Sequence, residues 1–211
     1  MPTHSDRPHV PRAPEPEGTA EGLLARLEEL EGRFEAQGMP FRKSHRPGLT
    51  PEAIRDLWDL PYEIPWDVAV WFGWHDGIAR GDVEGVYAPF PAGDLWGLAE
   101  CLERRRSSLQ VIGGPTRESD VFFLNNWIPI FGQAQVWVHF AVQPQGAKTP
   151  VEFYDMFDSP LNVQRSASIS EFVEQCHLML DDRLWVWDPF EHEWEYHYDE
   201  IPADRKWLGG L

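Results

Sequence analysis

The residues best equipped for chemistry in this chain are His192-Glu193-Trp194-Glu195-Tyr196-His197. Two histidines enclosing glutamates suggest a zinc hydrolase, in which His at i and i+4 on one helix face hold the metal and a Glu serves as base. Here the spacing is five, and in a strand the two imidazoles would point to opposite faces. The alternation places Glu193, Glu195, His197 and Asp199 on one side and His192, Trp194, Tyr196 and Tyr198 on the other. That pattern describes an aromatic face packed on the domain and an acidic face turned outward, which could dock a basic partner. His75-Asp76 has the composition of a general base with its orienting carboxylate. Adjacent residues of a helix, however, point about 100° apart and do not readily bond each other. His139 shares a strand face with Trp137 and reads as structural. The nucleophile elbow, the phosphate-cradling Gly-Lys-Ser/Thr loop and the dinucleotide glycine pattern are all missing. No catalytic residue, metal ligand or cofactor site is therefore assigned, and the chain is expected not to be an enzyme.

Charge gives that acidic face its meaning. The chain carries a formal net charge of -17 over 211 residues. Residues 1–49 hold 8 Asp+Glu against 7 Lys+Arg, whereas Asp181 to Asp204 holds 9 acids and a single cation, Arg183. Nucleic acid is an improbable partner for such a surface, because phosphates require the opposite sign. Long-range steering favours a basic protein or cationic ligand. The candidate contacts are Asp82 and Glu84, together with Glu191, Glu193, Glu195 and Asp199. Eleven tryptophans permit a different class, a sugar-binding module, if Trp185, Trp187 and Trp194 are exposed.

The elements that must position these residues are well marked. Five prolines within residues 1–18, with almost no large apolar residue, predict a disordered tail. Thr19 caps a helix to about Gln37 with Leu23, Leu27, Leu30 and Phe34 along one stripe, and Gly38 ends it. A basic turn follows at Arg42, Lys43, His45 and Arg46. Thr50-Pro51 opens a second helix that Asp59-Leu60-Pro61 stops. Ile64-Pro65 opens a third that runs to a left-handed Gly77, with Trp66, Trp71 and Trp74 buried by their spacing. Asp82 to Tyr87 reads as a short strand, and Pro91 to Ser107 as a helix with Leu95, Leu98, Ala99 and Leu102 inward and Arg104 to Arg106 in its last turn. From Val121 the period changes: Val136, Val138, Phe140 and Val142 alternate with Gln135, Trp137, His139 and Ala141 as in a strand buried on one side, and Val151 to Phe157 is a second strand. Ser168 and Glu171 form a capping box for a helix to about Asp182. Leu184 to Asp188 and Glu193 to Tyr198 then make a hairpin around Pro189-Phe190-Glu191-His192. Helices first, then mainly antiparallel strands with one late helix, is an α+β arrangement. Cys101 and Cys176 read as small buried hydrophobes. With no apolar run of eighteen residues and no basic-then-apolar leader, no membrane span is expected and the cytoplasm is the expected location.

Four segments taken in order carry a resemblance. They are Ile64-Pro65-Trp66-Asp67 with Trp71-Phe72 and His75-Asp76-Gly77, then Trp127-Ile128-Pro129-Ile130, the strand Val136-Trp137-Val138-His139-Phe140, and Val151-Glu152-Phe153-Tyr154-Asp155 followed by Ser170-Glu171-Phe172-Val173. Together they resemble the SUKH superfamily, which includes a yeast cell-wall-assembly regulator domain and many immunity proteins of bacterial toxin systems. Asp76 stands where that family usually has asparagine. The resemblance implies a SUKH-like α+β domain over residues 19–182, with residues 183–211 as an acidic aromatic hairpin extension. It further implies a non-enzymatic immunity protein that neutralises a cognate, basic toxin domain. The alternatives are an intracellular adaptor linked to cell-wall or signalling functions, the sugar-binding module, and an unrecognised hydrolase.

Overall fold

The computed structural model describes residues 19–60, 63–79, 90–91, 93–111, 127–133, 136–141, 149–155, 159–203 and 208. Asp82, Glu84, the strand expected from Asp82 to Tyr87 and the Pro-rich tail lie outside them. The chain is α+β, as its sequence predicts. Helix α1 (Ala20–Ala36) begins where the Thr19 hydroxyl accepts from the Gly22 N–H at 3.0 Å, meeting an amide that the helix itself cannot satisfy. Its apolar stripe is buried, and Gly38 follows at φ +94. A short α2 (Phe41–Ser44) leads into β1 (His45–Pro47). Helix α3 (Pro51–Leu57) is capped by Thr50 as expected.

Helix α4 (Trp66–Trp74) ends three residues before the expected glycine. His75–Ile78 is instead β2, paired antiparallel with β1. Gly77 is left-handed, with φ +76, but within this strand. Val68, Trp71, Phe72 and Trp74 are buried, whereas Trp66 is 41% exposed. Trp66 shares the outer stripe of the helix with half-buried Val70 and exposed Gly73, so the expectation of its burial fails by helical geometry.

The helix expected from Pro91 also starts later. Asp94–Leu95 is β3, the Trp96 N–H bonds the Ile130 carbonyl at 2.9 Å, and α5 spans Leu98–Val111. Leu95, Leu98 and Leu102 are buried, but Ala99 is exposed. Arg104 and Arg106 sit mid-helix, paired with Glu100 and Glu103. β4 (Trp127–Gln133), β5 (Val136–Ala141), β6 (Val151–Asp155) and β7 (Ser159–Ser166) complete a five-stranded antiparallel sheet in the order β3-β4-β5-β6-β7. Pro129 falls at a register shift between β4 and β5, where a residue without an N–H is tolerated inside a sheet.

Helix α6 (Ile169–Asp181) has the Ser168 cap, while Glu171 accepts from the Ala167 N–H rather than from Ser168. Cys176 on its inner face and Cys101 on α5 are both buried, and burial pushes both thiols well above their ordinary range. The seam between α6 and α1 is polar: Arg26 pairs with Glu174 at 2.6 Å, Arg33 with Asp181 at 2.6 Å, and His177 lies between them. Arg33 donates to His177 Nδ1 at 3.0 Å, so Nε2 carries the proton given to the Arg26 carbonyl at 3.0 Å. Burial, with Arg26 and Arg33 alongside, holds this imidazole below its ordinary pKa.

Phe90 joins the layers. Its ring lies 5.9 Å from Phe34 of α1, 5.2 Å from Phe131 of β4, 6.5 Å from Phe172 of α6 and 6.2 Å from Trp185. Edge and tilted contacts of this kind add to the area that the rings bury. β8 (Trp185–Asp188), β9 (Glu193–Tyr196) and a 3-10 turn (Tyr198–Glu200) follow α6.

Candidate functional site

Tryptophans fix the β8–β9 hairpin from within. Trp187 opposes Trp194 across the ribbon with ring centroids 5.4 Å apart, and Trp194 meets Phe34 at 5.1 Å. The Trp185 indole donates to the Leu208 carbonyl at 3.3 Å. The Trp187 N–H donates to Gln37 Oε1 at 2.9 Å, tying the ribbon to the end of α1. All three indoles are buried, so none of them offers a face on which a sugar ring could stack. The hairpin covers the core.

Its turn is equally fixed. Asp188 Oδ1 accepts from the Phe190 N–H at 2.7 Å and the Glu191 N–H at 3.1 Å, and the His192 N–H returns to the Asp188 carbonyl at 2.9 Å. His192 takes the left-handed conformation that closes the turn, with φ 58. An aspartate side chain bonding the backbone two residues on suits it to this position.

Outside this frame Glu191, Glu193, Glu195 and Asp199 are all exposed. None of the four makes an ion pair among the described residues. Glu193 and Glu195 share the outer face of β9, opposite Trp194, as the alternation predicts. The alternation stops at Tyr196, however, because the chain turns into the 3-10 segment, so Asp199 belongs to that turn rather than to the strand. Tyr196 is partly exposed and donates its hydroxyl to the Pro91 carbonyl. Burial and Glu193 push this phenol well above its ordinary pKa. His192 lies in the turn and His197 beyond β9, 4.0 Å from Glu200. Among the described residues no group of three or more His, Cys, Asp or Glu could hold a metal ion.

No family model and no curated protein matches this chain. A second cluster of the same residue types lies around His75 of β2. Glu31 of α1 is buried and receives the Trp74 indole N–H at 3.0 Å, His75 Nε2 at 2.9 Å and the Arg42 guanidinium. His75 Nδ1 meets the Arg46 carbonyl at 2.9 Å. Both ring nitrogens face oxygen acceptors, so only the imidazolium makes both bonds. Burial pushes the Glu31 carboxyl up, but the bonds from His75, Arg42 and Trp74 outweigh it and hold it below the usual range.

Asp76 Oδ1 accepts the Leu98 N–H at 2.8 Å, capping α5 across 22 residues of chain, and Arg46 bonds the Asp76 carbonyl at 2.6 Å. A side chain on Gly77 would lie 2.3 Å from the Gly97 nitrogen, so glycine is required there for space as well as for φ. His75 and Asp76 thus point to different partners, as the sequence reading anticipates. Each bond in this corner joins one element to another.

His45 completes the corner. Its ring stacks on Phe41 at 3.9 Å and lies 5.5 Å from His75. Nδ1 meets the Phe41 carbonyl at 2.8 Å, and Nε2 is buried without a hydrogen-bond partner among the described residues. Burial pushes this imidazole down to about 4, with the Phe41 bond opposing and His75 adding to the shift. A third buried tie sits at the start of α4, where Asp67 accepts from the Thr149 N–H at 3.1 Å and the Thr149 hydroxyl at 2.8 Å.

Sequence reasoning missed two residues of consequence. Glu31 was detectable as a charge on the apolar stripe, four residues after Leu27 and three before Phe34. Phe190 was detectable as an aromatic in a turn whose geometry asks for none.

Proposed function

We propose that this chain is a non-enzymatic binding protein whose acidic hairpin docks a basic protein, and that the partner is a bacterial toxin domain which it neutralises. One observation carries the docking role: Glu191, Glu193 and Glu195 project from a ribbon fixed by buried tryptophans and lack internal cations among the described residues. Fixed unpaired charges raise the association rate with a partner of opposite sign. The toxin as partner rests on the SUKH resemblance, and the cytoplasm as location on the want of an apolar run of eighteen residues. No helix among the described residues is long and apolar enough to cross a membrane.

The test is affinity capture from the source organism at about 50 mM salt and at several-fold higher salt, a range over which surface charges lose most of their reach. Recovery of one basic toxin whose activity the purified chain abolishes, with retention falling as salt rises, is the expected result. A salt-indifferent partner drawn from signalling or cell-wall assembly would replace immunity with the adaptor role.

A further inference from the structure

We propose that Phe190 is the anchor of the docking surface, and that the partner receives it in an apolar socket rimmed by Lys or Arg. The proposal rests on the docking role argued above and adds the feature that would slow dissociation. Phe190 is 90% exposed, more than any other large apolar side chain among the described residues. The core has no use for it, because Trp185, Trp187 and Trp194 already fill the inner side of the ribbon. Its backbone is nonetheless fixed. Asp188 holds the turn from within through the Phe190 and Glu191 N–H groups, and Gln37 holds the strand leading in.

A large apolar ring displayed on a preformed support loses little conformational freedom on binding, since only two side-chain torsions remain to be fixed. Aromatic anchors of this kind concentrate binding energy when a pocket removes them from water. The charges around the ring choose the occupant. Glu191 is its neighbour and Glu193 and Glu195 follow along the ribbon, so an anionic bilayer surface is repelled. A second copy of this chain brings the same acids and a net charge of -17. A protein pocket with a cationic rim satisfies both the ring and the acids.

The experiment places a benzoylphenylalanine photocrosslinker at position 190 of the full chain, with the same probe at position 178 as control, in cells of the source organism. The expected product is one basic protein linked from position 190 and not from 178, at apolar residues bordered by Lys or Arg. With that protein purified, Phe190→Ala should weaken binding about 30-fold through faster dissociation, while Glu193→Lys with Glu195→Lys should mainly slow association. Equal crosslinking at the two positions, crosslinks to lipid or to a second copy, or a loss under about 3-fold in Phe190→Ala would overturn the anchor. If charge reversal still weakens binding in that last case, the docking role stands without it. If neither change weakens binding, both fall.

Discussion

The corner at His75-Asp76-Gly77 and the hairpin at Asp188 to Tyr196 are built from the same residue types and use them in opposite ways. In the corner, Glu31, His75 and Asp76 each bond groups from other elements, and Gly77 has no room for a side chain. Of the hairpin's carboxylates, only Asp188 is spent on the fold, and Glu191, Glu193 and Glu195 face water without a cation among the described residues. The difference separates histidine and carboxylate that hold a structure from carboxylate left free to meet something else. Sequence spacing alone does not make that distinction; the direction in which each side chain finds its partner does.

Breaking the corner should cost most. Glu31→Ala leaves the Trp74 indole, His75 and Arg42 without their shared acceptor. The expected loss is about 3–5 kcal/mol, the usual cost of removing one member of a buried ionic network. Urea unfolding of the variant measures it, and a loss near zero would erase the contrast between the two regions.

Acid should act on the same corner. The His45 imidazole is held down to about 4 in the fold and returns to an ordinary value near 6.5 when unfolded. Between those values the unfolded chain binds a proton that the folded chain refuses. Stability is therefore complete above pH 6.5 and declines as pH falls to about 4, by on the order of 3 kcal/mol from this group. Glu31, held below its ordinary value, adds a further loss at the acid end as it is protonated. Unfolding midpoints measured from pH 7.5 to 4 should fall for the native chain and fall less steeply in His45→Phe, where His177 and Glu31, both also held below their ordinary values, account for the remaining slope. An unchanged slope would remove His45 from the account.

A smaller effect separates charge from hydrogen bonding at the α5 cap. Asp76→Asn keeps an oxygen for the Leu98 N–H and should stay within about 0.5 kcal/mol of the native chain, while Asp76→Ala should lose about 1 kcal/mol or more. Equal losses would mean that the carboxylate charge, through Arg46, matters more than the cap.

Much of the frame is legible in the sequence where the cause is local. Thr19, Thr50-Pro51 and Ser168 mark helix starts because their hydroxyls meet amides three residues on. The hairpin is legible because its aromatic and acidic residues alternate. Boundaries decided by distant partners are not. The apolar run of α4 continues in type through His75, but pairing with His45–Pro47 pulls that residue into a strand. Leu95, Leu98 and Leu102 share a helical spacing, yet contact with β4 makes Leu95 a strand residue, and α5 waits for a cap supplied by Asp76. β7 has only Leu161 and Val163 to signal a strand, and its pairing with β6 defines it. For the site, the outward acids of β9 are legible, Asp199 is displaced by the 3-10 turn, and the sequence marks Phe190 as an aromatic in a turn without giving its exposure.

On the proposed reading, the hairpin acids are free of the fold and committed to a partner. Its most direct test is Glu193→Lys with Glu195→Lys, with unfolding free energy and affinity for the captured basic protein measured on the same preparation. The expected result is a stability change within about 0.5 kcal/mol, as for exposed side chains without partners, together with a loss of affinity of at least tenfold at low salt that shrinks as salt rises. A variant that loses several kcal/mol of stability, or one that binds as tightly as the native chain, would contradict it.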